Sequence, residues 1–113
     1  MASTTDIQHA RARVVEAARQ FLANQIGVID VARAINRERT VLDPQMTNDE
    51  LTGFMAIDSE SDRLAYGPVI DHWHLDLRVT KLREIEEFEN FYRANAVADA
   101  QVLLRRYEIS LSQ

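Results

Sequence analysis

The fold is decided by residues 76–107, DLRVTKLREIEEFENFYRANAVADAQVLLRRY. Val79, Leu82, Ile85, Phe88, Tyr92, Ala96, Val97, Ala100, Leu103, Leu104 and Tyr107 hold one apolar stripe at helical spacing. No Gly or Pro interrupts it, so the pattern predicts one continuous helix of ~46 Å. A compact chain of 113 residues has a radius of gyration of roughly 13 Å and a diameter of about 35 Å. Such a helix overhangs its own domain unless it bends or meets a partner. The run from Ala94 to Ala100 is small-sided, so another helix can approach closely there. Two occupants are open at this point: the first helix of the same chain, or a second copy in a symmetric dimer.

Toward the N-terminus the helical repeat returns. Ile7, Ala10, Val14, Ala17, Ala18, Phe21 and Leu22 form a second stripe, and Thr5 and Gln8 have capping-box spacing, which predicts a helix over about 5–25. Gly27 punctuates it. A shorter helix is expected over about 28–38, with Val28, Val31, Ala32 and Ile35 inward and Arg33, Arg37 and Arg39 outward. Gly27 leaves room for a sharp turn between the two, giving a helical hairpin. Residues 40–48 read as a loop holding Pro44. Thr47 and Glu50 form another capping-box pair, so a short helix is expected over about 48–56, burying Leu51, Phe54 and Met55. Asp58 to Gly67 reads as an ordered acidic loop, and Pro68 to Leu75 as either a short strand or a helical turn. The expected architecture is therefore a single all-α domain: a helical hairpin, a short helix, an acidic loop and a long C-terminal helix.

Composition narrows the function classes. The chain has no cysteine, which removes disulfide frames, zinc-thiolate sites, iron–sulfur clusters and cysteine nucleophiles. No apolar run approaches the roughly 20 residues needed to span a bilayer, and the N-terminal segment lacks the apolar core of a secretory signal. The expectation is a cytoplasmic protein without membrane association. Three Gly and two Pro are too few for a turn-rich β-sandwich. They also argue against a Gly-rich phosphate loop, and no G-x-S-x-G nucleophile motif occurs. No cofactor is implied.

The net charge of −5 is unevenly placed. Residues 1–48 carry six Arg against Asp6, Glu16, Asp30, Glu38 and Asp43, a net of +1. Residues 49–71 carry Asp49, Glu50, Asp58, Glu60, Asp62 and Asp71 against Arg63, a net of −5. The remainder nets −1. A helix-turn-helix reading of 5–38 is disfavoured, because its arginines are nearly balanced and the chain as a whole repels phosphate, so no nucleic-acid partner is expected. The Glu84–Glu89 run reads as a solvated face, paired at helical spacing with Lys81, Arg83 and Arg93.

Two clusters are dense enough to carry chemistry. Asp58, Glu60 and Asp62 occupy alternate positions, as the oxygen ligands of a calcium loop do. Counted from Asp58, however, positions six and twelve hold Arg63 and Val69, where Gly and a bidentate Glu are needed, so the EF-hand reading fails. Asp71-His72-Trp73-His74-Leu75-Asp76 could supply further ligands. Asp58, Glu60, Asp62, His72 and His74 together would suffice for a metal-dependent hydrolase if folding brought them together. Otherwise the carboxylates structure a loop and the histidines bond neighbouring carboxylates. Trp73 reads either as an interface anchor or as a plug beneath the acidic loop.

The stretch Phe54-Met55-Ala56-Ile57-Asp58-Ser59-Glu60-Ser61-Asp62-Arg63-Leu64-Ala65-Tyr66-Gly67 resembles a signature of the form F-x-A-I-D-S-E-x-D-x-L-P-x-G, borne by a family of small bacterial helical proteins without an established activity. In that pattern a Trp follows the Gly, matched by Trp73. A long helix with an F-Y-R segment comes next, matched by Phe91-Tyr92-Arg93, and then an apolar-Arg-aromatic ending, matched by Leu103 to Tyr107. Ala65 stands in place of the Pro, and Ile70 in place of an Arg three residues before the Trp. The resemblance implies a helical fold and marks a site, without implying an activity. The leading functional expectation is a binding module of the immunity or antitoxin kind, with Asp58, Glu60, Asp62 and Trp73 facing a basic protein partner. The alternatives are the metal-dependent hydrolase and a structural homodimer without a ligand site.

Overall fold

A computed structural model of the chain describes residues 3–64 and 75–111. Five helices follow one another: α1 Thr4–Leu22, α2 Val28–Asn36, α3 Arg39–Leu42, α4 Asp49–Ser61 and α5 Leu75–Leu111. No strand occurs among the described residues, so the architecture is all-α. The segment from Pro68 to His74, expected as a strand or turn, lies outside the described residues.

α1 starts one residue earlier than its pattern suggested, because the cap is Ser3 rather than Thr5. The Ser3 hydroxyl accepts from Asp6 N–H at 3.0 Å, and Asp6 Oδ2 accepts from Ser3 N–H at 3.2 Å. The helix ends at Leu22 because Asn24 turns left-handed, at φ 61°. Asn24 N–H donates to Phe21 carbonyl at 3.0 Å and Gln25 N–H to Gln20 carbonyl at 2.8 Å, the paired bonds of a Schellman ending. The sharp turn expected at Gly27 is thus made three residues earlier, by an asparagine that tolerates this conformation. Gly27 itself is extended and caps the start of α2.

α2 is also shorter than expected. It ends at Asn36, and a separate single turn, α3, occupies part of the region read as loop. Glu38, between them, is only 8% exposed, and its carboxylate accepts from Arg13 Nε at 2.7 and 3.0 Å. This ties the α2–α3 corner to α1.

The core gathers the predicted stripes. Val14, Phe21, Val31, Ile35, Phe54, Ile57 and Leu103 are buried in one cluster with Ala96 and Ala100 of α5. The most extensive helix contacts are between α1 and α5 and between α2 and α4. Ala96 and Ala100 are fully buried, so the small-residue groove of α5 is filled by the chain's own helices. α5 sets the long dimension of a body measuring 51 × 27 × 21 Å. Its first turns run past the core and leave Leu75 65% and Val79 50% exposed.

Candidate functional site

The first part of the stretch read as an acidic loop, residues 58–61, is helical, and 65–67 lie outside the described residues. α4 continues through Ser61, so Asp58, Ser59 and Glu60 sit in its last turns and Asp62 caps its end. The physical reason is the burial pattern. Leu51, Phe54, Ile57 and Ser61 fall on one face and are all buried, which carries the helix a full turn beyond the position where polar, weakly helix-forming residues suggested an end. Ser61 is tolerated in the core because its hydroxyl donates to Asp58 carbonyl at 2.7 Å and accepts from Arg33 Nη2 at 3.3 Å. Met55, expected in the core, is only half-buried.

Helical geometry then separates the three carboxylates. Asp58 turns toward α2, where its Oδ2 accepts from Asn36 Nδ2 at 2.9 Å and its Oδ1 lies 3.7 Å from Arg33 Nε. Glu60 and Asp62 are exposed, and Glu60 pairs with Arg63 at 3.7 Å. Residues two apart on a helix diverge by about 200°, so Asp58 and Glu60 cannot share one ion. Among the described residues no three His, Asp or Glu side chains gather to hold a metal. Trp73, His72 and His74, the remaining members of the predicted sites, lie outside the described residues.

At the opposite end of α4 the structure forms a cleft that sequence reasoning missed. Its cavity measures about 660 Å³ and lies between α1, the α3–α4 connection, the first turn of α4 and the C-terminal half of α5. Asp43 braces the connection. Its carboxylate, 6% exposed, accepts from Thr47 N–H and hydroxyl at 3.0 Å each and from Asn48 N–H at 2.8 Å. Burial pushes the Asp43 carboxyl up, but these hydrogen bonds and the charge of Arg39 outweigh it and hold it below the ordinary range. Thr47 is therefore committed to Asp43, and the α4 cap is Asn48, whose Oδ1 accepts from Leu51 N–H at 3.2 Å. This replaces the cap expected from Thr47.

Within the cleft, Glu50 is 7% exposed and accepts from Arg106 Nη2 at 2.8 Å. Asp99 faces α4 across Gly53, where a Cβ would lie 2.5 Å from Asp99 Oδ2. A Cβ there would make the Asp99 carboxylate turn aside, so the glycine admits this close approach despite its low helix propensity. Burial first, and then the charges of Glu50 and Asp49, push the Asp99 carboxyl up to about 6. At the far wall, the Arg11 guanidinium lies 5.8 Å above the Tyr107 ring centroid. Burial is also the main cause that raises the Tyr107 phenol. The sequence offered one signal for this site, a lone aspartate inside an alanine-rich stretch of α5. Glu50 read as a capping-box partner of Thr47 and Arg106 as part of an apolar-Arg-aromatic ending, and their pairing across 56 residues is visible only after folding.

No protein-family model, curated protein or solved structure matches the chain. No helix among the described residues is long and apolar enough to cross a membrane.

Proposed function

We propose that this protein is a non-enzymatic binding module, of the immunity or antitoxin kind, that presents the acidic α4 region to a basic protein partner. One observation carries the reading. From Asp43 to Asp62 the chain contains six carboxylates and no Lys or Arg, and Asp49, Glu60 and Asp62 of that stretch face solvent. Clustered carboxylates on a helix make the local potential negative, accelerate encounter with a cationic surface and reject acidic competitors. Among the described site residues, Glu60 and Asp62 are the exposed ones, with Glu60 beside Arg63. Asp58 supports them from behind by fixing α4 to α2.

The test is affinity capture from the native host at low and moderate salt, comparing the natural chain with a Glu60→Lys, Asp62→Lys double variant. A basic partner held by the natural chain, weakened by salt and lost by the variant, is the expected result. Retention of every partner by the variant would overturn the reading.

A further inference from the structure

We infer that the groove between α4 and α5 receives an amphipathic basic helix, supplied by the protein partner proposed above. The inference rests on the binding-module reading and names both the element of the partner that docks and the surface that takes it.

The surface is a groove with an apolar floor. Near the end of α4 it forms a cavity of about 500 Å³ that Leu64, Phe88, Phe91 and Tyr92 line. Nearer the start of α4 it forms one of about 250 Å³ that Gly53, Ala56, Ile57, Asn95 and Ala98 line. Tyr92 borders both, and the pairing of late α4 with early α5 makes the two walls antiparallel. From Glu84 to Asp99 the groove follows α5 for about 22 Å, the length of about 15 helical residues.

The floor carries an anchor. Phe91 is 76% exposed, more than any other large apolar side chain described. Its ring stands edge-on to Tyr92 with 4.8 Å between centroids, and Tyr92 meets Phe88 at the same separation. A scattered surface apolar residue needs no explanation, but an aromatic row at the rim of a groove has the composition of an interface hot spot. At the other end of the groove Gly53, Ala56 and Ala98 are small, so a third helix can approach closely.

Charge selects the occupant. Glu84, Glu87 and Asp99 line the groove against Arg63, and Arg63 lies 3.7 Å from the exposed Glu60. The groove thus opens onto the acidic end of α4. A second copy of this chain, with a net charge of −5, is repelled by such a rim. The chain's own residues 65–74 carry Asp71 and no Lys or Arg. A basic amphipathic helix answers both features. Its apolar residues at i, i+3, i+4 and i+7 lie on the aromatic and alanine floor, and its lysines or arginines flank the carboxylates.

The experiment titrates the full ¹⁵N-labelled chain with a capped peptide of about 15 residues, leucine on one helical face and lysine elsewhere, and follows backbone amide shifts. Saturable shifts are expected at Ala56, Leu64, Phe91 and Asn95, with a dissociation constant of about 50 μM or tighter that weakens with salt. A peptide of the same composition in shuffled order should bind at least about tenfold more weakly, and one with glutamate in place of lysine should not bind. Phe91→Ser and Ala98→Trp, both at exposed positions, should each weaken the leucine–lysine peptide about tenfold with amide spectra unchanged away from the groove. Equal binding of the shuffled peptide, undiminished binding by both variants, or shifts confined to residues outside the groove would overturn the inference. So would shifts at the same amides on concentrating the chain alone, which would place a second copy in the groove. The two proposals part in the host capture experiment. A partner lost by the Glu60→Lys, Asp62→Lys variant but kept by Phe91→Ser leaves the binding-module reading standing and overturns the groove.

Discussion

The Glu89 carboxylate of α5 accepts a hydrogen bond from the backbone N–H of Ile29 at 3.0 Å, capping α2 across 60 residues of chain. Gly27, at the capping position, has no side chain with which to do this. The absence of that side chain is what admits Glu89: a Cβ on Gly27 would meet Glu89 Oε2 at 2.6 Å. A carboxylate at this end also complements the positive pole of the helix. Glu89 therefore departs from the solvated face on which it was expected to lie with Glu84, Glu86 and Glu87.

Removing this cap should be measurable. Glu89→Ala is expected to lower unfolding stability by about 1 kcal/mol, the ordinary cost of losing an N-cap, as read from urea denaturation. Gly27→Ala should cost a similar amount by pushing the carboxylate away, and the double variant should cost less than the two together. Additive losses would show that the two residues act separately.

The turn after α1 gives a backbone test. Asn24 is left-handed at φ 61°, so Asn24→Ala should destabilise by about 1 kcal/mol, while Asn24→Gly should be neutral or slightly stabilising. Thermal melts of the two variants distinguish this from loss of a side-chain contact, which would penalise both.

The acidic end of α4 should divide into structural and exposed carboxylates. Asp58→Ala removes the acceptor for Asn36 and Arg33 and should cost about 1–2 kcal/mol. Glu60→Ala and Asp62→Ala, at exposed positions, should stay within about 0.5 kcal/mol of the natural chain. Large losses at Glu60 or Asp62 would mean that these side chains belong to the scaffold rather than to a surface available for binding.

Asp99 gives a pH test whose sign is fixed by linkage. Its folded pKa is about 6, above its ordinary value of 3.8. Between these values the native state binds more protons than the unfolded state, so this group makes stability fall as pH rises from about 4 to about 6. Asp99→Asn should therefore stabilise the protein at about pH 7.5, by about 1 kcal/mol after discounting for the water that reaches this half-buried group, and confer no gain near pH 4. Asp43 has the opposite sign: its lowered folded pKa contributes stability that is lost as pH falls through it. Denaturation midpoints from about pH 7.5 down to well below pH 4 check both directions.

The stripes of α1, α2 and α5 were legible because each repeats on a helical period over many residues, and burial of one face is what such a repeat encodes. The position of α4 was legible too, through Leu51 and Phe54, but its length was not. Asp58, Ser59 and Ser61 are residues that bond to the backbone of turns and helices alike. Arg33 and Asn36, which decide their conformation, arrive from a different helix. The capping residues were misplaced for a similar reason: Ser3, Asn48 and Thr47 all have competent side chains, and only geometry selects which of them caps.

Local periodicity and charge order were therefore enough to specify an all-α chain with a long final helix and to locate its acidity between residues 49 and 71. They could not say which charges are spent inside the fold. Glu89 on Ile29, Asp58 on Asn36 and Glu50 on Arg106 are joined across 60, 22 and 56 residues. Asp99 remains without such a partner among the described residues. Coulombic and hydrogen-bond energies depend on distance in space and on desolvation, neither of which has a period along the chain. The packing of α1, α4 and α5 thus turned an acidic stretch into a tied helix end, an exposed pair at Glu60 and Asp62, and a cleft around Asp99.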